Sequence, residues 1–172
     1  MRTDCSAGRA AHLSRAIVAL ALVGFSGCAS VSPKTDSATD GAKQQMAGDP
    51  GAIAARFALG LVGIPYRYGG NTPKGFDCSG LVQYTYALAG IQLPRSVDEQ
   101  LARTRAISRT RIRPGDLLVF HLNSKPNSHI GLYIGNGSFV HAPSTGKLVS
   151  TASLSNPYWR RRLAGARRLH FD

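Results

Sequence analysis

At Arg113-Pro114-Gly115 the hydrophobic period of this chain changes. Before that point apolar residues recur at helical spacing. One run covers Ala52 to Val62 and is closed by Gly63 and Pro65. A second covers Cys78 to Ala89, with Leu81, Thr85 and Leu88 and again Val82, Tyr86 and Ala89 on shared faces, and Gly90 ends it. Between the two lies a Gly-rich connection, Tyr66 to Gly75. Ser96 and Glu99 form an S-x-x-E capping box that predicts a short helix to about Ala102. Beyond Gly115 the alternation is that of strands, over Leu117 to His121, His129 to Ile134, Ser138 to Ala142, Lys147 to Ser150 and Gly165 to Phe171. Helices first and strands after imply an α+β fold, with N-terminal helices packed on a C-terminal antiparallel sheet.

The residues ahead of these elements read as an export apparatus. Arg2, Arg9 and Arg15 precede an uncharged, mostly apolar run from Ala16 to Gly24. That run is too short to span a bilayer, which takes about 20 residues, but it has the length of a signal-peptide core. The exit Phe25-Ser26-Gly27-Cys28-Ala29 resembles a bacterial lipoprotein signal, with Phe25 where Leu is usual and Cys28 as the lipidated first residue of the mature chain. Residues 1–27 are thus expected to be signal peptide and residues 28–50, poor in large apolar side chains, a flexible tether. A coil of that length spans roughly 25 Å. The remaining residues 51–172 suffice for one domain with its own core. With 43% hydrophobic and 17% charged residues overall, the chain is neither disordered, nor a coiled coil, nor a polytopic membrane protein.

Charge narrows the partner. Lys and Arg number 21 against 9 Asp and Glu, and from Gly51 onward the count is 16 against 5. An anionic neighbour is expected, and export makes it a wall or a membrane surface, not nucleic acid. The cysteines are Cys5 in the leader, Cys28 at the lipidation site and Cys78 in the domain, so no internal disulfide is expected. A lone thiol in an exported domain is either an inert core residue or a nucleophile.

Asp77 has the character of an N-cap, which puts Cys78 in the first turn of its helix. There the unpaired N–H groups and the helix dipole would lower the thiol pKa and could also receive an oxyanion. Of the domain's histidines, His129 and His141 lie on a hairpin around Gly135-Asn136-Gly137. A three-residue loop would put Ile134 opposite Ser138 and Gly131 opposite His141, making His129 and His141 diagonal neighbours on one face. A two-residue Asn-Gly loop would separate them, and the three-residue form is the expectation. Gly131 would then leave room between the rings for a side chain or substrate. His121 and His170 read as ordinary sheet residues. Cys78 with two histidines has the parts of a Cys-His-orienter triad. Zinc is the competing use of such a set, but no C-x-x-C or H-x-x-x-H chelate is present.

Six stretches in order, Tyr66-Arg67-Tyr68-Gly69-Gly70, Phe76-Asp77-Cys78-Ser79-Gly80-Leu81-Val82, Leu93-Pro94-Arg95-Ser96, Arg113-Pro114-Gly115-Asp116-Leu117, His129-Ile130-Gly131-Leu132-Tyr133-Ile134-Gly135 and Phe139-Val140-His141-Ala142, resemble the motifs of the NlpC family of bacterial cell-wall cysteine peptidases. The single-domain lipoprotein form resembles the Spr type of murein endopeptidase. The resemblance implies a reduced papain-like fold, Cys78 as nucleophile, His129 as base and His141 as third polar residue. It also implies Tyr66, Ser79 and Asp77 around the oxyanion and substrate, peptidoglycan stem peptides as partners, membrane attachment through the lipid, no metal or organic cofactor, and a monomer. An inactive wall-binding domain and an acyltransferase using the same residues are the alternatives.

Overall fold

The computed structural model describes residues 48–122 and 125–170. The leader, Cys28 and most of the tether lie outside the described residues, as does Phe171. Helix α1 (Pro50–Leu59) starts two residues before the expected Ala52, because the Asp49 carboxylate accepts from the Gly51 N–H at 2.9 Å and Pro50 occupies the first turn. Two short strands, β1 (Asn71–Thr72) and β2 (Gly75–Phe76), form a hairpin inside the Gly-rich connection. Helix α2 (Cys78–Leu88) follows directly, and α3 (Val97–Ala102) carries the full Ser96/Glu99 capping box.

The other elements are strands apart from two short helical turns. They are β3 (Thr104–Ile107), a 3-10 turn (Arg109–Arg111), β4 (Leu117–Leu122), β5 (Lys125–Gly135), β6 (Ser138–His141), β7 (Ser150–Ser153), the one-and-a-half-turn helix α4 (Pro157–Arg162) and β8 (Leu163–Leu169). Six strands form one antiparallel sheet in the order β3-β8-β4-β5-β6-β7. The molecule is α+β, with the N-terminal helices on one face of this sheet.

The two sheet faces carry separate clusters. Leu81, Val82 and Tyr86 of α2 pack with Leu117, Val119, Ile130, Leu132 and Val140 on the helix side. Full burial of side chains of this size stabilises by about 2 kcal/mol each. Leu118, Phe120, Phe139, Leu163 and Ala166 form the second cluster, on the other face, with Trp159 of α4 packed against it.

Besides β1, β2 and α4, which sequence reasoning missed, three strands depart from expectation. The Lys147 to Ser150 strand begins instead at Ser150, because the backbone of 147–149 is taken by the segment before the Gly-rich connection. Tyr66 N–H donates to the Lys147 carbonyl at 2.8 Å, and Val149 N–H donates to that of Ile64 at 2.8 Å. Strand β3 lies in the basic run and lacks an apolar period. Strand β8 begins at Leu163, two residues before Gly165.

The hairpin also differs. Gly135 pairs with Ser138 across a two-residue turn in which Asn136 and Gly137 have φ of 51° and 70°. A bulge between Tyr133 and Gly135 then shifts the register, so Tyr133 faces Phe139 and Leu132 faces Val140. Continued by one residue, this register places Gly131 level with His141. The tight turn alone would have split the histidines between faces, and the bulge restores their common face. The space expected over Gly131 is filled: a Cβ there would meet the Phe139 ring at 2.5 Å.

Candidate active site

Asp77 caps α2 and organises its first turn. Its Oδ1 accepts from the Gly80 N–H at 2.8 Å, and its Oδ2 accepts from the Gly69 N–H at 3.0 Å. Arg95 forks onto the same turn, donating to Asp77 Oδ2 at 2.5 Å and to Ser79 Oγ at 2.8 Å. From α3, Gln100 Nε2 donates to the carbonyls of Ser79 at 2.9 Å and Pro94 at 2.8 Å. Ser79 and Asp77 are thus tied inward behind Cys78. Neither lines the cleft.

The cleft is lined by Tyr66, Cys78, Leu122, Ser128, His129, Ala142 and Pro143. Burial pushes the Cys78 thiol above its ordinary value, the Asp77 carboxylate adds to this, and the Ile130 N–H beside the sulfur opposes it. The expectation of a depressed thiol pKa is therefore corrected: desolvation outweighs the helix terminus. Burial also raises the Tyr66 phenol, with the neighbouring Cys78 and Asp77 charges adding to it, so the phenol keeps its proton as a donor.

His129 and His141 are each 3% exposed, and His129 Nε2 lies 2.9 Å from His141 Nδ1 with the rings edge to face. Burial lowers His129 to about 3, with the His141 charge a smaller cause, and burial lowers His141 to about 4. Both rings are neutral at neutral pH. Of the two ways to place the shared proton, only donation from His129 Nε2 leaves His129 Nδ1 unprotonated and able to act as a base.

His121 and His170 are exposed and stand outside this cleft. Among the described residues no group of three His, Cys, Asp or Glu could hold a metal ion, and no helix is long and apolar enough to cross a membrane. Sequence reasoning missed the supporting roles of Arg95 and Gln100. It also missed Trp159, the only tryptophan of the chain, which stacks on His129 at 5.9 Å between ring centroids. The N-cap Asn156 with Pro157 was the available signal for its helix.

A helix-borne thiol packed on an antiparallel sheet that carries its imidazole partner is the architecture of the papain-like cysteine hydrolases. Within that class the chain belongs to the NlpC/P60 family, whose profile matches residues 63–168. It is similar to murein DD-endopeptidase MepS/murein LD-carboxypeptidase of Escherichia coli (strain K12), 47% identical over 108 residues covering 62% of this chain and 56% of that protein. Murein DD-endopeptidase MepH of the same organism is 41% identical over 122 residues, 68% of this chain and 45% of that protein. The chain spans about half the length of these curated relatives. Among solved structures it is similar to an NLP/P60 family protein of Staphylococcus aureus, with a TM-score of 0.64 and 35% identity, covering 72% of this chain and 42% of that one.

Proposed function

We infer that this protein is a cysteine endopeptidase of peptidoglycan, exported and held at a membrane by lipid on Cys28, with the D-alanyl to meso-diaminopimelate cross-link as its substrate bond. The observation that carries the reading is the cleft in which Cys78, Tyr66 and His129 meet, with His141 bonded behind His129. The likeness to two murein endopeptidases supports the substrate class.

The residues perform the steps as follows. Cys78 Sγ attacks the scissile carbonyl while His129 Nδ1 takes the thiol proton, so the neutral resting pair separates charge only as the bond forms. The oxyanion is received by backbone N–H groups at the start of α2 and by the Tyr66 hydroxyl. His129 returns the proton to the departing amine, leaving a thioester on Cys78. Water then attacks that thioester with His129 as base, and Cys78 leaves as thiol. His141 holds the productive tautomer without contributing a negative charge. Asp77 and Ser79 act through the helix start they brace. The basic surface suits a wall rich in free carboxylates.

Purified protein incubated with cross-linked dimeric muropeptides should yield monomers and leave monomeric tetrapeptide stems intact. Monomers shortened to dipeptide stems would move the cut to the D-glutamyl bond. Products joined to an added amine would favour acyl transfer, and no product from either substrate would favour wall binding without cleavage. Mass spectrometry of the mature chain should find lipid on Cys28, and Cys28→Ser should release the protein with its hydrolysis intact; an unmodified N-terminus upstream of Cys28 would overturn the anchor.

A further inference from the structure

The imidazole pair has a roof that the mechanism above does not use. Asn156 caps α4 by accepting from the Tyr158 N–H at 2.8 Å, and Pro157 occupies the first turn. At the other end the chain passes straight into β8, where Leu163 is the register partner of Phe120. Arg162 closes the turn, its guanidinium 3.8 Å from the centre of the Tyr158 ring and its Nη1 donating to the Tyr158 carbonyl at 3.1 Å. Because β7 is the sheet edge and β8 lies beyond β4 and β5, this short helix must cross β6, β5 and β4. It crosses on the face that carries Phe120, Phe139 and both histidines.

Trp159 is the side chain that this bridge turns inward. Its ring lies 4.9 Å from Phe120 and 5.3 Å from Phe139. It lies nearly parallel to His129, 5.9 Å away at 27°, and edge-on to His141, 4.7 Å away at 79°. One aromatic ring therefore covers both partners of the 2.9 Å imidazole bond. A bond between two neutral rings is easily replaced by bonds to water, so its lifetime depends on dryness.

We propose that Trp159 is a positioning residue: its indole keeps water off the His129–His141 hydrogen bond and so holds His129 with Nδ1 free toward Cys78. Cys78 from α2 and Tyr66 from the connection share the cleft with His129; Tyr158, Arg160, Arg161 and Arg162 lie on α4 beside Trp159; and His121, though next to Phe120 in the chain, lines a separate hollow with Leu101 and Val119. Tyr158, Arg160 and Arg161 are exposed and Arg162 is half-buried over the Tyr158 ring, and from this helix it is the indole that packs against both imidazoles. The absence of Trp159 from the cleft lining means that it should affect turnover and not substrate binding.

The kinetic arm of the test rests on the hydrolase reading; the spectroscopic arm does not. In the full chain, Trp159→Ala should lower kcat on dimeric muropeptides about tenfold or more with KM unchanged, the order expected when a catalytic group is loosened by under 1 Å. Trp159→Phe should recover much of that loss. By NMR, the shared imidazole N–H should be visible in the wild-type protein and lost to solvent exchange in Trp159→Ala. The His129 titration should move up by about one pH unit as the ring is hydrated. If Trp159→Ala does not fold, the same measurements on Trp159→Phe decide. Lower thermal stability with an unchanged N–H signal and titration would make Trp159 a core residue only and overturn the proposal. Absence of hydrolysis by wild-type protein would refute the proposed function while leaving the NMR comparison valid.

Discussion

Gly80→Ala sets two physical arguments against each other. Gly80 is the third residue of α2, and by helix propensity alone alanine there should stabilise by about 1 kcal/mol. The structure predicts the opposite sign. A Cβ on residue 80 would lie 2.0 Å from the Gly70 carbonyl oxygen and 3.0 Å from Asp77 Oδ1. The obstacle is backbone, and that carbonyl already accepts from the Asp77 N–H at 3.0 Å and from Arg95 at 3.4 Å. Making room for a methyl means withdrawing the whole Tyr66 to Gly75 connection from the helix start. Overpacking of this kind costs about 1–3 kcal/mol, the lost Asp77 to Gly70 bond about 1, and a disturbed cap about 1. Set against the propensity gain, the net expectation is about 2–4 kcal/mol of destabilisation. Urea unfolding followed by circular dichroism measures it. Hydrolysis assayed on the folded fraction should also fall, because Tyr66 travels with the connection. A variant as stable as wild type, or more stable, would refute the claim that Gly80 exists to admit the Gly70 carbonyl.

Other perturbations test the electrostatics. Alkylation of Cys78 by iodoacetamide should still be accelerating at about pH 9, since burial holds the thiol above its ordinary value; a plateau at neutral pH would restore the low-pKa thiol. His129 and His141, at about 3 and 4 against 6.5 for a free imidazole, take up protons more readily unfolded than folded, so stability present above pH 6.5 is lost as pH falls toward 4. At about 1.4 kcal/mol per unit for each ring, roughly 3–4 kcal/mol should vanish between pH 7 and 5, and a flat urea midpoint over that range would count against neutral burial. Arg95→Ala should cost about 1–2 kcal/mol in chemical denaturation, discounted because the guanidinium is 35% exposed, and Arg95→Lys should not restore it because an ammonium cannot fork onto Asp77 and Ser79 together; full rescue by lysine would show that charge alone matters. His141→Asn should keep part of the activity and His141→Ala lose most, since an amide oxygen can accept the His129 bond; equal loss would remove the orienting role.

Legibility in the sequence followed the range of the cause. The Cys78 helix, the Asp77 cap and the Ser96/Glu99 box are local chemistry, and the structure carries them where spacing put them. The union of His129 with His141 was legible through alternation, but by way of a loop the chain does not have: Asn136-Gly137 makes the tight turn its composition favours, and the compensating bulge leaves no sequence mark beyond Gly135. Leu148 and Val149 look like strand residues, yet their backbone partners are Ile64 to Tyr66, some 80 residues away, and nothing nearby in the chain announces that choice. Strand β3 lies beside β8 with Arg105 opposite Arg168 and is tied there by Arg167, which donates to the Thr104 hydroxyl at 2.6 Å, a pairing no apolar pattern reveals. The thiol pKa could not be read because it depends on how much of the sheet covers the sulfur.

The bulged hairpin makes the pairing of the two imidazoles a question of arithmetic modulo two. Turn and bulge each change the parity of β6 relative to β5, and only their combination returns His141 to the side of His129. Deleting Leu132 from the paired part of β5 would leave the strands able to hydrogen-bond and yet set Ile130, not Gly131, opposite His141. Ile134 and the turn stand outside that count, whereas changes of length between His129 and Tyr133, or between Phe139 and His141, must come in pairs. A hairpin transplanted between relatives has to be moved whole, from Gly131 to His141, or the recipient acquires a well-folded sheet with its histidines facing apart.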